Sequence, residues 1–214
     1  MNKRDVNKLL DILKETYPEA ACALDFGTRF QLLIAVVLSA QTTDKSVNKV
    51  TPELFSRYPD AASLASADEE DVQEIIRTIG MYRTKAKNII ALSRKLVVDF
   101  DGEVPGTQEE LMSLPGVGRK TSNVVLAEGF GEQKIAVDTH VFRVSNRIGL
   151  ADDKNVFKTE ESLMKAIPGN RWTEAHHLLI FHGRNICGAQ RPKCGSCPIK
   201  QYCKWIKNKD IKEN

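Results

Sequence analysis

Apolar side chains recur along this chain with the spacing of helices rather than strands. Val6, Leu9, Leu10 and Leu13 fall at i, i+3, i+4 and i+7, and Phe30, Leu33, Ile34, Val37 and Leu38 repeat the pattern one position further. Ala86, Ile89, Ile90, Leu96 and Val97 mark another face, and Val141, Val144 and Ile148 a further one. Leu163, Met164 and Ile167 lie in the next, ended by Pro168-Gly169, and Trp172, Ala175, His176, Leu179 and Ile180 make the last. The punctuation agrees with this reading. Ser66 to Glu69 has the spacing of a capping box ahead of Val72, Ile75 and Ile76, with Gly80 as the stop. Thr107 to Glu110 is a second box ahead of Leu111 and Leu114, and Asp101-Gly102 and Pro105-Gly106 are turn signals. No stretch alternates as a strand would. The pattern predicts an all-α protein of about ten short helices, with no low-complexity segment or long linker.

Size and composition add little to this. A chain of 214 residues buries about 70% of its unfolded surface and holds a core without disulfide staples. Its 42% hydrophobic and 28% charged residues exclude a disordered chain or a fibre. The longest apolar run, Leu32 to Leu38, is seven residues, against the ~20 that span a bilayer. Asp5, Lys8 and Asp11 interrupt any secretory h-region after Lys3 and Arg4, so the expected compartment is the cytoplasm. No heptad pattern points to an oligomer, and a monomer is expected.

Charge changes the picture only through its distribution. The net is +3, yet the stretch 175–209 carries seven basic side chains (Arg184, Arg191, Lys193, Lys200, Lys204, Lys207 and Lys209) and no acid. Such a region is either a solvated face or a contact for a polyanion such as nucleic acid.

Four of the five cysteines crowd the same end. Cys187, Cys194, Cys197 and Cys203 are spaced C-x6-C-x2-C-x5-C, while Cys22 stands alone and is expected to be a buried small hydrophobe. Disulfides are not expected in a cytosolic chain, so the group points to a metal site. Four thiolates on a compact loop suit zinc or an iron–sulfur cluster, and this spacing leaves both open. Nearby cations then have two uses. Arg191 and Lys193, in the loop between Cys187 and Cys194, either neutralise the thiolates or contact phosphate.

The segment Leu114-Pro115-Gly116-Val117-Gly118-Arg119-Lys120 lies between two helical stretches. Pro115 cannot continue the first helix, and Gly116 and Gly118 permit conformations closed to other residues. The next helix begins near Arg119 and adds unpaired N–H groups and its positive dipole end, a concavity suited to one phosphate. Lys120 falls in that first turn, where it serves either as a phosphate ligand or, as a neutral amine, as a nucleophile. Asp138, in Val137-Asp138-Thr139-His140, follows an apolar segment and precedes a helix. Capping by itself explains it. A carboxylate held there also suits an oxocarbenium-like sugar or the deprotonation of a nucleophile.

Taken together, the hairpin, the V-D-T-H string whose aspartate lies 18 residues past Lys120, and the terminal cysteines resemble the endonuclease III family of helix-hairpin-helix proteins. Leu38-Ser39-Ala40-Gln41-Thr42-Thr43-Asp44 and Gly80-Met81-Tyr82 fit as well, and the similarity runs from about residue 28 to residue 205. The resemblance implies two α-helical domains with a DNA-binding cleft. One would be a six-helix domain over 22–132 with the helix-hairpin-helix at about 107–128. The other would be a cluster domain built from 1–21 and 133–214. It implies a 4Fe-4S cluster on Cys187, Cys194, Cys197 and Cys203. It implies a DNA glycosylase and AP lyase that removes oxidised pyrimidines from double-stranded DNA and cleaves 3′ to abasic sites, with Lys120 as nucleophile and Asp138 as its carboxylate partner. Gln41 would fill the space left by the extruded base. Met81 stands where the family usually carries a leucine wedge. Leu114, Gly116, Val117, Gly118, Arg119, His140, Arg191 and Lys193 would contact the DNA. Two other readings stay open at this point. A monofunctional glycosylase of the same superfamily would lack the hairpin lysine, and a non-catalytic DNA-binding module would carry the metal only to hold its basic loop.

Overall fold

The structure, a computed structural model, describes residues 1–210, with side chains through residue 208. The Lys209 side chain therefore lies outside the described residues. Every regular element among those residues is helical, twelve α-helices and three short 3-10 turns. The chain divides into two compact units, residues 23–132 and residues 1–22 with 133–214.

Helix α1 (Lys3–Thr16) starts where Asn2 Oδ1 accepts the Asp5 N–H at 2.8 Å. The unit 23–132 follows with α2 (Arg29–Leu38), α3 (Asp44–Arg57), α4 (Ala61–Ala65), α5 (Glu69–Ile76), α6 (Tyr82–Asp99), α7 (Gln108–Met112) and α8 (Arg119–Phe130). α2 is buried on every side, from Leu32 through Leu38. It is the axis of the unit, as a helix apolar all round must be. α3, α6 and α8 pack on it, while α4 and α5 pack on α6.

The local signals are only partly as expected. Asp68, not Ser66, caps α5, its Oδ1 accepting the N–H groups of Glu70 and Asp71 at 2.9 and 3.2 Å. A carboxylate accepts two such bonds, so it displaces the serine, whose hydroxyl closes α4 by donating to the Ala62 and Ser63 carbonyls. Gly80 does not stop α5. That helix ends at Ile76, and the turn before α6 is made by Met81 in the left-handed region at φ 57°. Thr107 caps α7 by accepting the Glu110 N–H. The Glu110 carboxylate meets the threonine hydroxyl at 2.6 Å instead of returning to the backbone. Val97 is 39% exposed and leaves the buried face of α6 that Leu96 keeps. Cys22 is half-buried rather than enclosed. α3 carries Pro52 in its interior, which hides its face of Val47, Val50 and Leu54 from a search for unbroken helices.

The second unit joins α1 to α9 (Thr139–Ile148), α10 (Val156–Ala166), α11 (Trp172–Asn185) and α12 (Lys204–Asp210). Val6, Leu9, Leu10 and Leu13 are fully buried against Val141, Val144, Ile148, Leu178 and Leu179. Arg171 clamps the edge of α1, with Nη1 on Asp11 at 2.8 Å and Nε on Glu174 at 2.6 Å. Burial opposes the Glu174 charge, but hydrogen bonds from Lys14 and Arg171 outweigh it and hold the carboxyl below its ordinary value. Among the described residues, no helix is long and apolar enough to cross a membrane.

Candidate functional site

The turn between α7 and α8 is pinned from below and open above. Leu114 and Val117 are buried, and the Val117 N–H closes on the Leu114 carbonyl at 3.1 Å. Between them Gly116 stands at φ +79°, and a Cβ there would sit 3.2 Å from Asn88 Nδ2 and 3.4 Å from Val37 Cγ1. Gly116 is thus required twice, by its backbone conformation and by the approach of α2 and α6. Gly118 differs from the expectation. Its φ is −101°, open to any residue, and nothing lies within 4 Å of a Cβ built there. Its contribution is an unobstructed backbone, not a special conformation.

Gly118 is also the N-cap of α8, and as a glycine it brings no side-chain oxygen to the first N–H groups of that helix. No acid lies in its first turn, which carries Arg119 and the exposed Lys120. A positive dipole end with two cations and uncapped donors attracts an anion.

The start of α9 has the opposite construction. Asp138 Oδ1 accepts the N–H groups of His140 and Val141 at 2.9 and 2.8 Å. Its second oxygen makes no hydrogen bond among the described residues, and the side chain is half-buried. The half-buried His140 is oriented by Arg143, whose Nη2 donates to Nδ1 at 3.1 Å.

Gln41 and Met81 share an unusual feature. Both are exposed, and both adopt the left-handed region, at φ 53° and 57°. That conformation costs a non-glycine residue roughly 1–2 kcal/mol. Each side chain is thereby turned outward at a helix end instead of joining the core beneath it.

The four clustered cysteines line one cavity together with Arg147, His182 and Trp205. Among the described residues, no three His, Cys, Asp or Glu side chains close on one point as a single-ion site would require. Cys203 is buried and the other three are half-buried, and burial pushes the free Cys197 and Cys203 thiols up. Arg191 and Lys193 are exposed on the loop. The cation turned toward the sulfurs is instead Arg147 of α9. Its Nη1 donates to the Gly188 carbonyl at 2.7 Å and lies 3.5 Å from Cys187 Sγ, and its Nη2 reaches the Ala189 carbonyl at 2.8 Å. Arg143 adds a bond to the Cys187 carbonyl at 3.0 Å. The two arginines are four residues apart on one helix face, a spacing visible in the sequence but uninformative without the loop they hold. His182 Nε2 is 3.6 Å from Cys197 Sγ, and its Nδ1 is 3.1 Å from the Tyr17 hydroxyl. Burial pushes the His182 imidazole down to about 4, so it is neutral at physiological pH.

The expected site residues divide between the units. Gln41, Met81 and the hairpin belong to 23–132, and Asp138, His140, Arg191, Lys193 and the cysteines to the other.

Residues 34–169 match the family described as HhH-GPD superfamily base excision DNA repair protein. The chain is 50% identical over 202 residues to the endonuclease III of Synechocystis sp., covering 94% of this chain and 92% of the relative. It is 47% identical over 211 residues to the endonuclease III of Escherichia coli K12, covering 99% and 100%. Among solved structures it resembles a trapped endonuclease III–DNA covalent intermediate, with a TM-score of 0.91 and 46% identity over 98% of this chain and 99% of the other. A thermostable thymine-DNA glycosylase shares the fold at a TM-score of 0.86 and 22% identity, over 96% and 98%.

The two hairpin glycines should respond differently to alanine. Gly116→Ala meets both the positive φ and the Asn88 contact, and should lower unfolding stability by at least about 1–2 kcal/mol in urea titrations. Gly118→Ala should leave the midpoint within about 0.5 kcal/mol of the parent.

Proposed function

The chain belongs to the HhH-GPD superfamily and within it to the endonuclease III family, and from that premise we propose that Lys120 is the nucleophile with which it excises damaged bases. It is a base-excision DNA repair enzyme, a DNA glycosylase and AP lyase acting on double-stranded DNA. The observation that carries the assignment of Lys120 is the start of α8. One turn offers uncapped N–H groups to a phosphate and, beside them, an exposed amine with no acid in its own turn.

The chemistry follows from these groups. An oxidised pyrimidine must leave the stack before its sugar can be reached. The neutral Lys120 amine forms a bond to C1′ as the N-glycosidic bond breaks, and the base departs with the bonding electrons and takes up a proton. Opening of the sugar ring yields a protonated Schiff base, which acidifies the C2′ proton. Loss of that proton expels the 3′ phosphate, and the strand is cut 3′ to the lesion. The free oxygen of Asp138 suits two tasks, deprotonating the amine and countering positive charge on the sugar. The trapped covalent intermediate formed by the similar endonuclease III is the kind of adduct this route produces.

Binding is divided among several groups. Gly116, Gly118 and Arg119 grip the backbone without reading sequence, on a turn that the buried Leu114 and Val117 anchor from below. Arg191 and Lys193 add phosphate contacts, and His140 faces the strand from the start of α9. Gln41 fills the vacated space and Met81 wedges the step, their outward left-handed turns supporting that use.

Cys187, Cys194, Cys197 and Cys203 line one cavity, which fits them as the four ligands of the 4Fe-4S cluster that the resemblance implies. Arg147 would offset the thiolate charge, and a neutral His182 would donate from Nε2 to Cys197. The cluster would pin the loop carrying Arg191 and Lys193.

Borohydride should trap Lys120 covalently on a duplex with an oxidised pyrimidine, and the adduct should vanish in Lys120→Ala. An adduct surviving the substitution would move the nucleophile elsewhere. Asp138→Asn keeps a good N-cap, so its melting temperature should hold while single-turnover excision falls about 100-fold or more. Unchanged excision would leave Asp138 a cap only. The purified protein should be yellow-brown with roughly four irons per chain, and colourless, zinc-loaded protein would refute the cluster.

A further inference from the structure

We propose that Lys85 is a positioning residue for base extrusion, a tie that holds the Gln41 turn and the Met81 turn in one fixed relation so that the two side chains act on the duplex together. The proposal rests on the reading of Gln41 and Met81 given above.

Lys85 lies in the first turn of α6 and is 3% exposed. Its backbone N–H donates to the Met81 carbonyl at 3.0 Å. Its Nζ donates to Thr42 Oγ1 at 2.6 Å, across 43 residues of sequence. Thr42 follows Gln41 directly, and its own N–H closes on the Ser39 carbonyl at 3.1 Å. One side chain thus spans from the residue beside Gln41 to the turn that presents Met81.

The chemistry of the tie argues against a purely structural purpose. Among the described residues, Thr42 is the only hydrogen-bond partner of the ammonium, and no carboxylate pairs with it. Burial alone pushes its amine down from the ordinary lysine value. An enclosed cation with one neutral partner costs stability that a methionine at the same place would recover. Each of the two turns it joins holds an exposed non-glycine residue in the left-handed region, a conformation that Asp101 shares outside them. Such strained residues persist only where their surroundings over-determine them. A rigid bridge between them does that, and it keeps the filling side chain and the wedge from moving independently.

The test separates extrusion from chemistry. Single-turnover excision is measured on 5-hydroxycytosine placed either in a paired duplex or in an unpaired bubble, where little unstacking remains to be done. Lys85→Met and Thr42→Val should each slow excision about tenfold in the duplex and about twofold or less in the bubble. The double variant should be no slower than either alone, because both remove one interaction. The 2-aminopurine fluorescence that reports unstacking beside the lesion should fall in the same variants. Equal losses on both substrates, no loss on either, or additive losses in the double variant would overturn the proposal. Gln41→Ala and Met81→Ala run alongside as a separate check. If they leave duplex excision unchanged, the wedge reading itself fails. If they slow it and Lys85→Met does not, only the role of Lys85 is lost.

Discussion

A helix start whose own N-cap residue brings no side-chain acceptor is the constraint on which the rest depends. α8 begins at a glycine that brings no side-chain oxygen, and two basic residues occupy the turn where acids would be favourable. Everything around it makes this arrangement tolerable. Leu114 and Val117 anchor the turn in the core, and Gly116 accepts both a positive φ and the close passage of α2 and α6. On the proposed reading a phosphate of the DNA meets these donors from outside, a local contact open to a protein of nearly balanced charge.

α9 begins with the same physics turned inward. Asp138 satisfies the N–H groups of its own helix with one oxygen and keeps the other uncommitted. The bonds that fix the carboxylate also hold its second oxygen in place for the proposed role. The two helix starts divide the labour, one left bare for an external anion and the other supplied with an internal one.

The cysteine loop shows how an arginine is built in beside a group of sulfurs. Its thiols sit around a cavity that includes Arg147 and a neutral His182. Arg147 both fixes the loop through two carbonyls and brings a positive charge to the sulfurs, so the same residue shapes the loop and balances it. Arg191 and Lys193 are thereby left on the surface.

The helical class, the buried face of α1, the hairpin string, the Asp138 cap and the cysteine group were legible in the chain because each depends on residues close in sequence. A 3.6-residue period, a glycine pair after a proline and a capping carboxylate are local statements. Where two local signals competed, proximity was not enough: Asp68 displaced Ser66 at the start of α5, and Met81 rather than Gly80 shaped the turn before α6. Gly118 looked like a conformational necessity and is an open door instead, which only the space around it reveals. Thr42 lies 43 residues from Lys85, Gly188 41 from Arg147, and Tyr17 165 from His182 along the chain. No pattern of spacing encodes such meetings. They are decided when apolar faces pack and carry charged side chains into one another's reach, which is why tertiary structure alone assigned them.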